Sequence, residues 1–362
     1  MSAVVLAICG DAGGANAVAP VIELLRAERR VEVRALAYAQ ACTLWRERGL
    51  AHEALGQRTS PAEIGRLLAA PVHCLLTGTS VNGLDYEKLF IAAARAAAIP
   101  SLSVLDFWAN YAQRFRDGAG ALNYLPDRIA VMDEQALTEM QADGIEAGRI
   151  VVTGHPAWDN IEAVRAAFTS AQRRSLRASL ALGDDDWLVL YASQPIPQAD
   201  GGYPWYDREV AVEQLIEALE AAARRCNKRA LLLIRSHPRE GPRPIPHRQS
   251  DSIRIESQSG GDGRPWLLAA DTVVGMATML LVESVLLGRP TLSLRLGLDG
   301  VDPFPPARAG RVPAVYRREQ VAAALEAALL ATQARIPPPI PAPNASRNVA
   351  DLIYRWLDRV DH

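Results

Sequence analysis

Short apolar runs alternate with stretches of helical periodicity throughout the first half of the chain. The apolar runs have the length of strands, and the stretches between them place apolar residues three and four positions apart, as amphipathic helices do. The predicted strands are Val4 to Cys9, Val31 to Ala37, Cys74 to Thr77, Ser101 to Leu105 and Arg128 to Val131, with a last strand of this half around Ile150 to Val152. The predicted helices are Val18 to Arg29, Ala41 to Glu47, Pro61 to Ala69 and Glu87 to Ala98. This alternation predicts βαβ units around a mostly parallel sheet, in a Rossmann-like α/β domain.

The second half of the chain repeats the same alternation. Its predicted strands are Trp187 to Ala192, Ala230 to Arg235, Ile253 to Ile255, Thr272 to Val274 and Thr291 to Leu294. Its predicted helices are Arg208 to Arg225, Trp266 to Ala270 and Leu280 to Leu287. We therefore predict a second Rossmann-like α/β domain. The turn residues of Gly154-His155-Pro156 have a structural role in this interpretation and mark the boundary between the two domains.

The end of the chain begins with a proline-rich run, Ile336 to Pro343, which predicts an extended connector. A final helix is predicted from Arg347 to Val360, and its apolar stripe must be buried. The stripe consists of Val349, Leu352, Ile353, Trp356 and Leu357. The predicted domains are residues 1–155 and 156–343, followed by a segment, residues 344–362, whose helix packs back on the N-terminal domain.

Charged residues nearly balance, with 39 Lys and Arg against 41 Asp and Glu and a formal net charge of −2. This balance argues against a nucleic-acid partner. The longer apolar runs, such as Val321 to Ala331, contain charges and are too short to span a bilayer, so we expect no transmembrane segment and at most peripheral membrane contact. The start, Met1 to Ile8, lacks the basic segment of a signal peptide, and the four cysteines form no Cys-x-x-Cys pair. These features predict a cytoplasmic protein.

The first candidate site is the glycine-rich turn Gly10 to Asn16, which connects a predicted strand to a helix. Glycines such as Gly13 and Gly14 let the backbone approach a ligand, and a helix N-terminus offers unpaired N–H groups. Asp11 follows the carboxyl end of a parallel strand, where ligands bind, and is a candidate general base. The alternative is a tight turn that binds no ligand.

Two further candidates follow predicted strands in the second half. Ser193 and Gln194 offer neutral hydrogen-bond donors to a phosphate or a base. Arg235, His237 and Pro238 come after the next strand, and the cations among them can donate charge-assisted hydrogen bonds to phosphate oxygens. Either segment could instead be an ordinary turn at the end of a strand.

A third strand of the second half ends before Gly275. Thr278 then stands at the predicted N-cap of a helix, where its hydroxyl and the free N–H groups suit a phosphate. Glu283 follows about one and a half turns later, at a position that can reach ribose hydroxyls. The alternative is a capping threonine and an exposed helical glutamate.

An aromatic segment, Leu105 to Phe115, follows another strand of the first half. Its Asp106, Trp108 and Asn110 combine a ring with a carboxylate and an amide, a mixture typical of sugar-binding surfaces. Packed core aromatics are the alternative. With Gly13 and Gly14 of the glycine-rich turn, these three residues are the candidates for binding an acceptor.

These strand-end motifs make the chain resemble, over essentially its whole length, the superfamily of GT-B glycosyltransferases and UDP-GlcNAc 2-epimerases. Its most specific part is Ala269 to Pro290, where an acidic residue and an apolar strand precede a hydroxyl residue, a Glu and Gly-x-Pro. Ser193-Gln194-Pro195, His237-Pro238 and Thr278 also resemble the QP, HP and Ser/Thr motifs of bacterial capsule-type and sialyltransferase-like enzymes that use CMP-activated sugars. The resemblance implies a GT-B fold, in which two Rossmann-like domains face each other across a cleft.

The resemblance also implies roles for individual residues. His237 and Thr278 bind the nucleotide phosphate, Glu283 binds ribose, and the catalytic candidates are Asp11 as base together with His237. Two departures separate this chain from the families it resembles. An Ala precedes Thr278, so only one hydroxyl is available where many such enzymes have two, and Gly275-Met276-Ala277 does not match the Ser-Gly-Gly turn of the epimerase branch.

We therefore predict a glycosyltransferase that moves a sugar from a CMP- or UDP-linked donor to a hydroxyl of a glycan, lipid-linked or protein acceptor, in bacterial surface glycan synthesis. We expect no cofactor and no metal, because no Asp-x-Asp stands where a metal is expected and Asp184-Asp185-Asp186 is predicted to be a solvated turn. Two alternatives stay open. One is a UDP-GlcNAc 2-epimerase-like enzyme, which needs no acceptor, and the other is a protein that binds a sugar nucleotide without catalysis.

Overall fold

The computed structural model describes residues 2–56, 59–69, 71–195, 207–237, 240, 250–331 and 343–360. The chain forms two compact units. Unit 1 consists of Met1–Asp159 and Ile340–His362, and unit 2 of Asn160–Pro339. Within the described ranges, no helix combines the length and the apolar character needed to cross a membrane.

Unit 1 is built around a parallel sheet. Its described strands are β1 Val4–Cys9, β2 Glu32–Ala37, β3 Glu53–Ala54, β4 Cys74–Thr77, β5 Ser101–Val104, β6 Arg128–Val131 and β7 Ile150–Val152. Its helices up to β7 are α1 Ala12–Glu28, α2 Ala39–Glu47, α3 Pro61–Ala69, α4 Tyr86–Ala96 and α5 Glu134–Ala142. The strand order is β3-β2-β1-β4-β5-β6-β7, with every neighbouring pair parallel.

Unit 2 contains a second parallel sheet. Its described strands are β8 Trp187–Ala192, β9 Ala230–Arg235, β10 Ile253–Gln258, β11 Thr272–Gly275, β12 Thr291–Leu294 and β13 Ala314–Val315, in the order β10-β9-β8-β11-β12-β13. Its described helices are α6 Ile161–Ala167, α7 Ser170–Ser179, α8 Arg208–Arg225, α9 Arg264–Ala269, α10 Met279–Leu286, α11 Pro305–Arg308 and α12 Arg318–Leu330. Both sheets confirm the prediction of two Rossmann-like α/β units.

Each sheet contains a point where the direction of strand addition reverses. In unit 1 the chain moves outward from β1 to β3 and then returns to form β4 on the other side of β1. In unit 2 it moves from β8 to β10 and returns to form β11 beside β8. The loops that leave two such neighbouring strands diverge, and the crevice at their carboxyl ends is where open α/β sheets bind ligands.

Helices cover both faces of each sheet, and the central strands are therefore buried along their whole length. All six residues of β1 are buried, and so are all six of β8. In unit 1 one face of the sheet packs against α1, and the other packs against α3 and α4. In unit 2 the strands pack against α8 and α12. The sheet cores are rigid supports for the loops at the strand ends.

The C-terminal helix, α13 Ala345–Val360, belongs to unit 1 and packs against α1. Of the predicted apolar stripe, Val349, Ile353 and Leu357 are buried in the same core as α1, and the other two residues are partly buried. The predicted packing of this helix on the N-terminal sheet unit therefore agrees with the structure. Most of the proline-rich run before it lies outside the described residues.

Candidate functional site

The switch point of unit 1 lies where β1 and β4 end. Asp11 follows β1 and is the N-cap residue of α1, but its carboxylate makes no capping hydrogen bond. Its Oδ2 instead accepts from the backbone N–H of Val81 at 2.8 Å, and its Oδ1 accepts from Nδ2 of Asn82 at 3.0 Å. The N–H of Asp11 donates to Oγ of Ser80 at 2.8 Å. Asp11 thus connects the turn after β1 to the loop after β4.

Asp106 follows β5 and is held by one of its two oxygens. Its Oδ1 accepts from Nη1 of Arg114 at 2.7 Å and from Oγ1 of Thr79 at 3.1 Å. The same Arg114 nitrogen also donates to the Thr79 carbonyl and hydroxyl. Oδ2 has no hydrogen-bond partner among the described residues. The ion pair therefore fixes one oxygen of a carboxylate whose side chain is 14% exposed and leaves the other available.

The two glycines at the start of α1 permit close packing of protein groups. A Cβ on Gly13 would collide with the Asp106 carboxylate, and a Cβ on Gly14 would lie 3.2 Å from Cα of Gly78 in the loop after β4. Both glycines bring α1 against the ends of β4 and β5. These protein contacts explain why both positions are glycines, without the predicted contact to a ligand.

A buried glutamate that sequence analysis did not single out lies beneath the same switch point. Glu87, in the first turn of α4, is 3% exposed. Its Oε1 accepts from the N–H of Gly10 at 3.0 Å and from the hydroxyl of Ser80, and its Oε2 accepts from the hydroxyl of Tyr38. Burial raises the pKa of the Glu87 carboxyl to about 7, although the hydrogen bonds from Ser80 and Tyr38 oppose that rise.

The aromatic segment after β5 packs in the protein core, which was the alternative to a sugar-binding surface. Trp108 is 2% exposed, donates from Nε1 to Oδ1 of Asp133 at 3.0 Å and stacks on Trp158 with ring centroids 5.8 Å apart. The interpretation of Trp108 as part of a sugar-binding surface is therefore wrong, since its ring is enclosed by protein. Asn110 is exposed and has a left-handed backbone, with φ of 57°, directly before a turn. His155, predicted to be structural, is buried and stacks on Trp158.

The residues after β8 bond to protein groups in unit 2. Oε1 of Gln194 accepts from the N–H of Ala277, in the turn after β11, at 2.7 Å. Ser193 is buried, donates to Oε1 of Glu240 at 2.9 Å and accepts from Nε of Arg208 at 3.0 Å. Gln194 therefore joins the two strand ends of the second switch point, while the hydroxyl of Ser193 belongs to a buried polar cluster.

The side chain of Arg235 forms hydrogen bonds within the protein. Its guanidinium is buried and donates to Oε1 of Gln258 at 3.2 Å and to the carbonyls of Gly260 and Gly261 at 2.6 and 2.5 Å. Burial lowers the pKa of this guanidinium. The prediction that Arg235 contacts phosphate conflicts with this geometry, because the side chain holds the loop after β10.

His237 follows β9 by two residues. Its backbone N–H donates to Oε2 of Glu240 at 2.9 Å, so the loop at this strand end is joined to the polar cluster of Ser193. Pro238, the other half of the predicted motif, lies outside the described residues. Gly275 ends β11, where a Cβ would lie 2.8 Å from the carbonyl oxygen of Ala192, so its contact is with β8.

Thr278 occupies the N-cap position of α10 without forming a cap. It is 9% exposed, its side chain makes no capping hydrogen bond, and Oγ1 has no hydrogen-bond partner among the described residues. A buried hydroxyl without a partner is costly, and native proteins rarely leave one in that state. At the positive end of a helix and at a switch point, an anion would supply the missing partner.

Glu283 forms an ion pair with Arg264, whereas the alternative interpretation predicted an exposed helical glutamate. Nε and Nη2 of Arg264 lie 3.2 and 3.3 Å from its two carboxylate oxygens, and Nη1 of Arg264 donates to Oδ1 of Asn160 at 2.9 Å. Burial disfavours the charged form of Arg264, but Glu283 outweighs it and raises the pKa of the guanidinium. Arg264, which sequence analysis missed, therefore fixes the orientation of Glu283.

Comparison with known proteins gives matches among solved structures. The UDP-GlcNAc 2-epimerase of Methanocaldococcus jannaschii is 16% identical and matches 97% of this chain and 99% of its own, with a TM-score of 0.69. The enzyme of Neisseria meningitidis bound to UDP-GlcNAc is 14% identical over 97% of this chain and 100% of its own, with a TM-score of 0.67. Anabaena HepE in complex with UDP is 14% identical over 100% of this chain and 98% of its own, with a TM-score of 0.58. No family model and no curated protein matches the chain.

This chain has the fold of the UDP-GlcNAc 2-epimerases. The identities are low, and the likeness therefore establishes the architecture of the two units rather than an activity. The prediction of a glycosyltransferase is wrong, because the solved structures that share this fold include several described as UDP-GlcNAc 2-epimerases. The acceptor-binding roles predicted for Gly13, Gly14, Asp106, Trp108 and Asn110 lose their basis with it.

Proposed function

We propose that the chain is an epimerase-like enzyme that acts on a UDP-linked N-acetylhexosamine. The observation that carries the proposal is the buried hydroxyl of Thr278, which has no partner among the described residues and stands at the N-terminus of α10. The shared architecture supports it, and UDP is favoured over CMP because structures of this fold are described as bound to UDP-GlcNAc or UDP.

The nucleotide is assigned to unit 2. The hydroxyl of Thr278 and the first N–H groups of α10 donate to the diphosphate, and the helix dipole favours its negative charge. The bond from Ala277 to Gln194 holds the turn in front of this helix. The His237 side chain is proposed to bind the phosphates, since it follows β9, the strand next to β8.

The ribose is assigned to Glu283. A carboxylate accepts hydrogen bonds through about four lone pairs, so both oxygens can bond to Arg264 and still accept from the two ribose hydroxyls. Because Arg264 fixes the carboxylate orientation, the ribose meets a group that needs no reorganisation on binding. Loss of the Arg264 cation should therefore weaken nucleotide binding indirectly.

The proton transfers are assigned to unit 1. To invert C2 of the sugar, one group removes its proton while the electron pair expels UDP from C1, and a group then returns a proton to the opposite face of C2 as UDP adds back to C1. Asp106 is the first candidate, because Arg114 and Thr79 hold Oδ1 while Oδ2 has no partner among the described residues. Asp11 is the second, because both of its oxygens already accept hydrogen bonds from the loop after β4.

The proposal is tested by incubating the protein with UDP-GlcNAc alone in D₂O. Proton NMR should show a second set of sugar signals, and both epimers should carry deuterium at C2 because the returned proton comes from solvent. Asp106→Asn should abolish deuterium exchange while UDP affinity, measured by calorimetry, is retained. An exposed control, Glu134→Gln, should behave like the wild type.

The outcomes separate the alternatives. UDP binding without a second epimer or deuterium exchange would indicate a protein that binds a sugar nucleotide without catalysis. Tighter binding of CMP than of UDP would contradict the nucleotide assignment. Full deuterium exchange by Asp106→Asn would remove Asp106 from the chemistry and direct attention to Asp11.

A further inference from the structure

Glu87 is a carboxyl group buried near the switch point of unit 1, and the proposed chemistry does not use it. The buried Ile91 lies four residues further along α4 on the same face, so Glu87 belongs to the side of this helix that packs in the core. An isolated charge there would be costly, and it is retained only with hydrogen-bond partners. Its three donors belong to three different segments of the chain.

Two hydrogen-bond paths run from Glu87 to the turn after β1. The first is direct, from the N–H of Gly10 to Oε1. The second passes from the N–H of Asp11 to Oγ of Ser80, whose hydroxyl donates to the same Oε1. Oε1 is therefore linked to two successive backbone N–H groups that lead into α1, directly to that of Gly10 and through the Ser80 hydroxyl to that of Asp11.

Tyr38 controls the other oxygen. Its hydroxyl donates to Oε2, and its ring lies against Gly10 where any Cβ would collide with it. The glycine at position 10 is thus explained by the need to bring the Tyr38 hydroxyl to Glu87. The ring of Tyr86 packs on Tyr38, with centroids 4.8 Å apart.

We propose that Glu87 is a positioning residue, which in its ionised form fixes the Gly10–Asp11 turn and through it the Asp11 carboxylate. The catalytic part of this inference rests on the proposed function, but the geometric part does not. Ionised Glu87 accepts from all three donors at once. Protonation converts one acceptor site into a donor and disturbs that set.

The other titratable groups around Glu87 are Cys9 from β1, Asp11 from the turn before α1, Tyr38 from the segment before α2, and Tyr86 from α4. Burial raises the pKa of the Cys9 thiol, and burial also raises that of the Tyr38 hydroxyl, so both stay neutral near neutral pH. Glu87, with its pKa raised to about 7, is then the group that changes charge in this range.

The geometric part is tested without substrate, by following the backbone amide signals of Gly10 and Asp11 in ¹⁵N-labelled protein against pH. Both signals should shift together with a midpoint near pH 7. Glu87→Gln should abolish the titration. Tyr38→Phe removes a donor that favours the ionised form, so it should move the midpoint to higher pH.

Ser80→Ala removes the hydrogen-bond path through Ser80 and keeps the direct path from Gly10 to Glu87. It remains informative if Glu87→Gln does not fold. The Gly10 amide should still titrate in this variant, whereas the Asp11 amide should lose most of its shift. Absence of any titration at Gly10 in the wild type, or its persistence in Glu87→Gln, would overturn the proposal.

Kinetics then tests the catalytic part. Glu87→Gln should lower kcat about ten- to a hundredfold, because small displacements of reacting groups cost that much, while UDP affinity stays unchanged. The loss of activity of the wild type below neutral pH should disappear in this variant. An unchanged kcat with an unchanged pH profile would overturn the catalytic part. Failure of the wild type to epimerise any UDP-sugar would reject the proposed function instead, and the amide titration would remain an independent result.

Discussion

The Asp159 carboxylate accepts a hydrogen bond from the backbone N–H of Ser346 at 2.7 Å, although 187 residues separate them in the chain. Its other oxygen accepts from the N–H of Ala345 at 2.8 Å. Asp159 therefore caps α13 from a distant part of unit 1 and places a negative charge at the positive end of that helix. Asp159 does for α13 what an N-cap residue usually does from within its own helix.

Asp159→Ala should lower the free energy of unfolding of unit 1 by about 1–2 kcal/mol, the usual cost of losing a cap. The partly buried Trp356 of α13 is a suitable fluorescence probe for urea unfolding. Asp184→Ala, at an exposed position, is the matched control and should change stability by less than about 0.5 kcal/mol. Equal stabilities of the two variants would show that the cap does not hold the helix.

The docking of α13 should also depend on pH through Glu28 of α1. Hydrogen bonds from Arg347 and then Tyr354 lower the pKa of the Glu28 carboxyl. A carboxyl group whose pKa is lowered by folding stabilises the folded state at pH values above its ordinary pKa. This stabilisation is lost as the pH falls through the pKa of the folded state. Glu28→Gln should therefore be less stable than the wild type at neutral pH, and the difference should vanish once the pH falls below the lowered pKa of Glu28.

Urea unfolding at several pH values measures this difference. Glu47→Gln, an exposed position on α2, is the control and should match the wild type throughout. A Glu28→Gln deficit that stays constant with pH would assign the effect to packing and not to the carboxylate charge.

Most of the fold was predictable, because central strands of parallel sheets are buried on both faces and appear as short apolar runs. The two short edge strands, β3 and β13, were missed. Glu53 and Ala54 of β3 are exposed, and a strand of two residues leaves no run or alternation to recognise. Pairing with a neighbouring strand, which is a long-range event, defines them.

The site was predictable only as far as strand ends fix positions. Thr278 could be placed at a helix N-terminus because a strand, a turn of small residues and an apolar helix follow each other in the chain. The partners of Glu283 and Asp106 could not be predicted, because Arg264 and Arg114 reach them through tertiary packing. Glu87 left a usable signal, since it recurs at helical spacing with buried apolar residues of α4.

Gly13→Ala tests the packing at the start of α1. The new methyl group would displace the Asp106 carboxylate and with it the ion pair to Arg114, so we expect a loss of about 1–3 kcal/mol in the free energy of unfolding. Gly65→Ala, in the open space around α3, should instead stabilise the protein by about 0.5–1 kcal/mol. Both are helical glycines, so their opposite signs would isolate the effect of the carboxylate; equal signs would contradict it.

Thr278→Val distinguishes a ligand-binding hydroxyl from a structural one. Because Oγ1 has no partner among the described residues, replacing it with a methyl group of the same shape should leave stability unchanged or raise it slightly. UDP affinity should nevertheless fall about tenfold, the loss expected for one hydrogen bond to a charged group. Thr278→Ser keeps the hydroxyl and should retain most of the affinity. Calorimetry with UDP and thermal unfolding of the same samples give both quantities, and a variant that is less stable but binds UDP normally would show that the hydroxyl serves the fold.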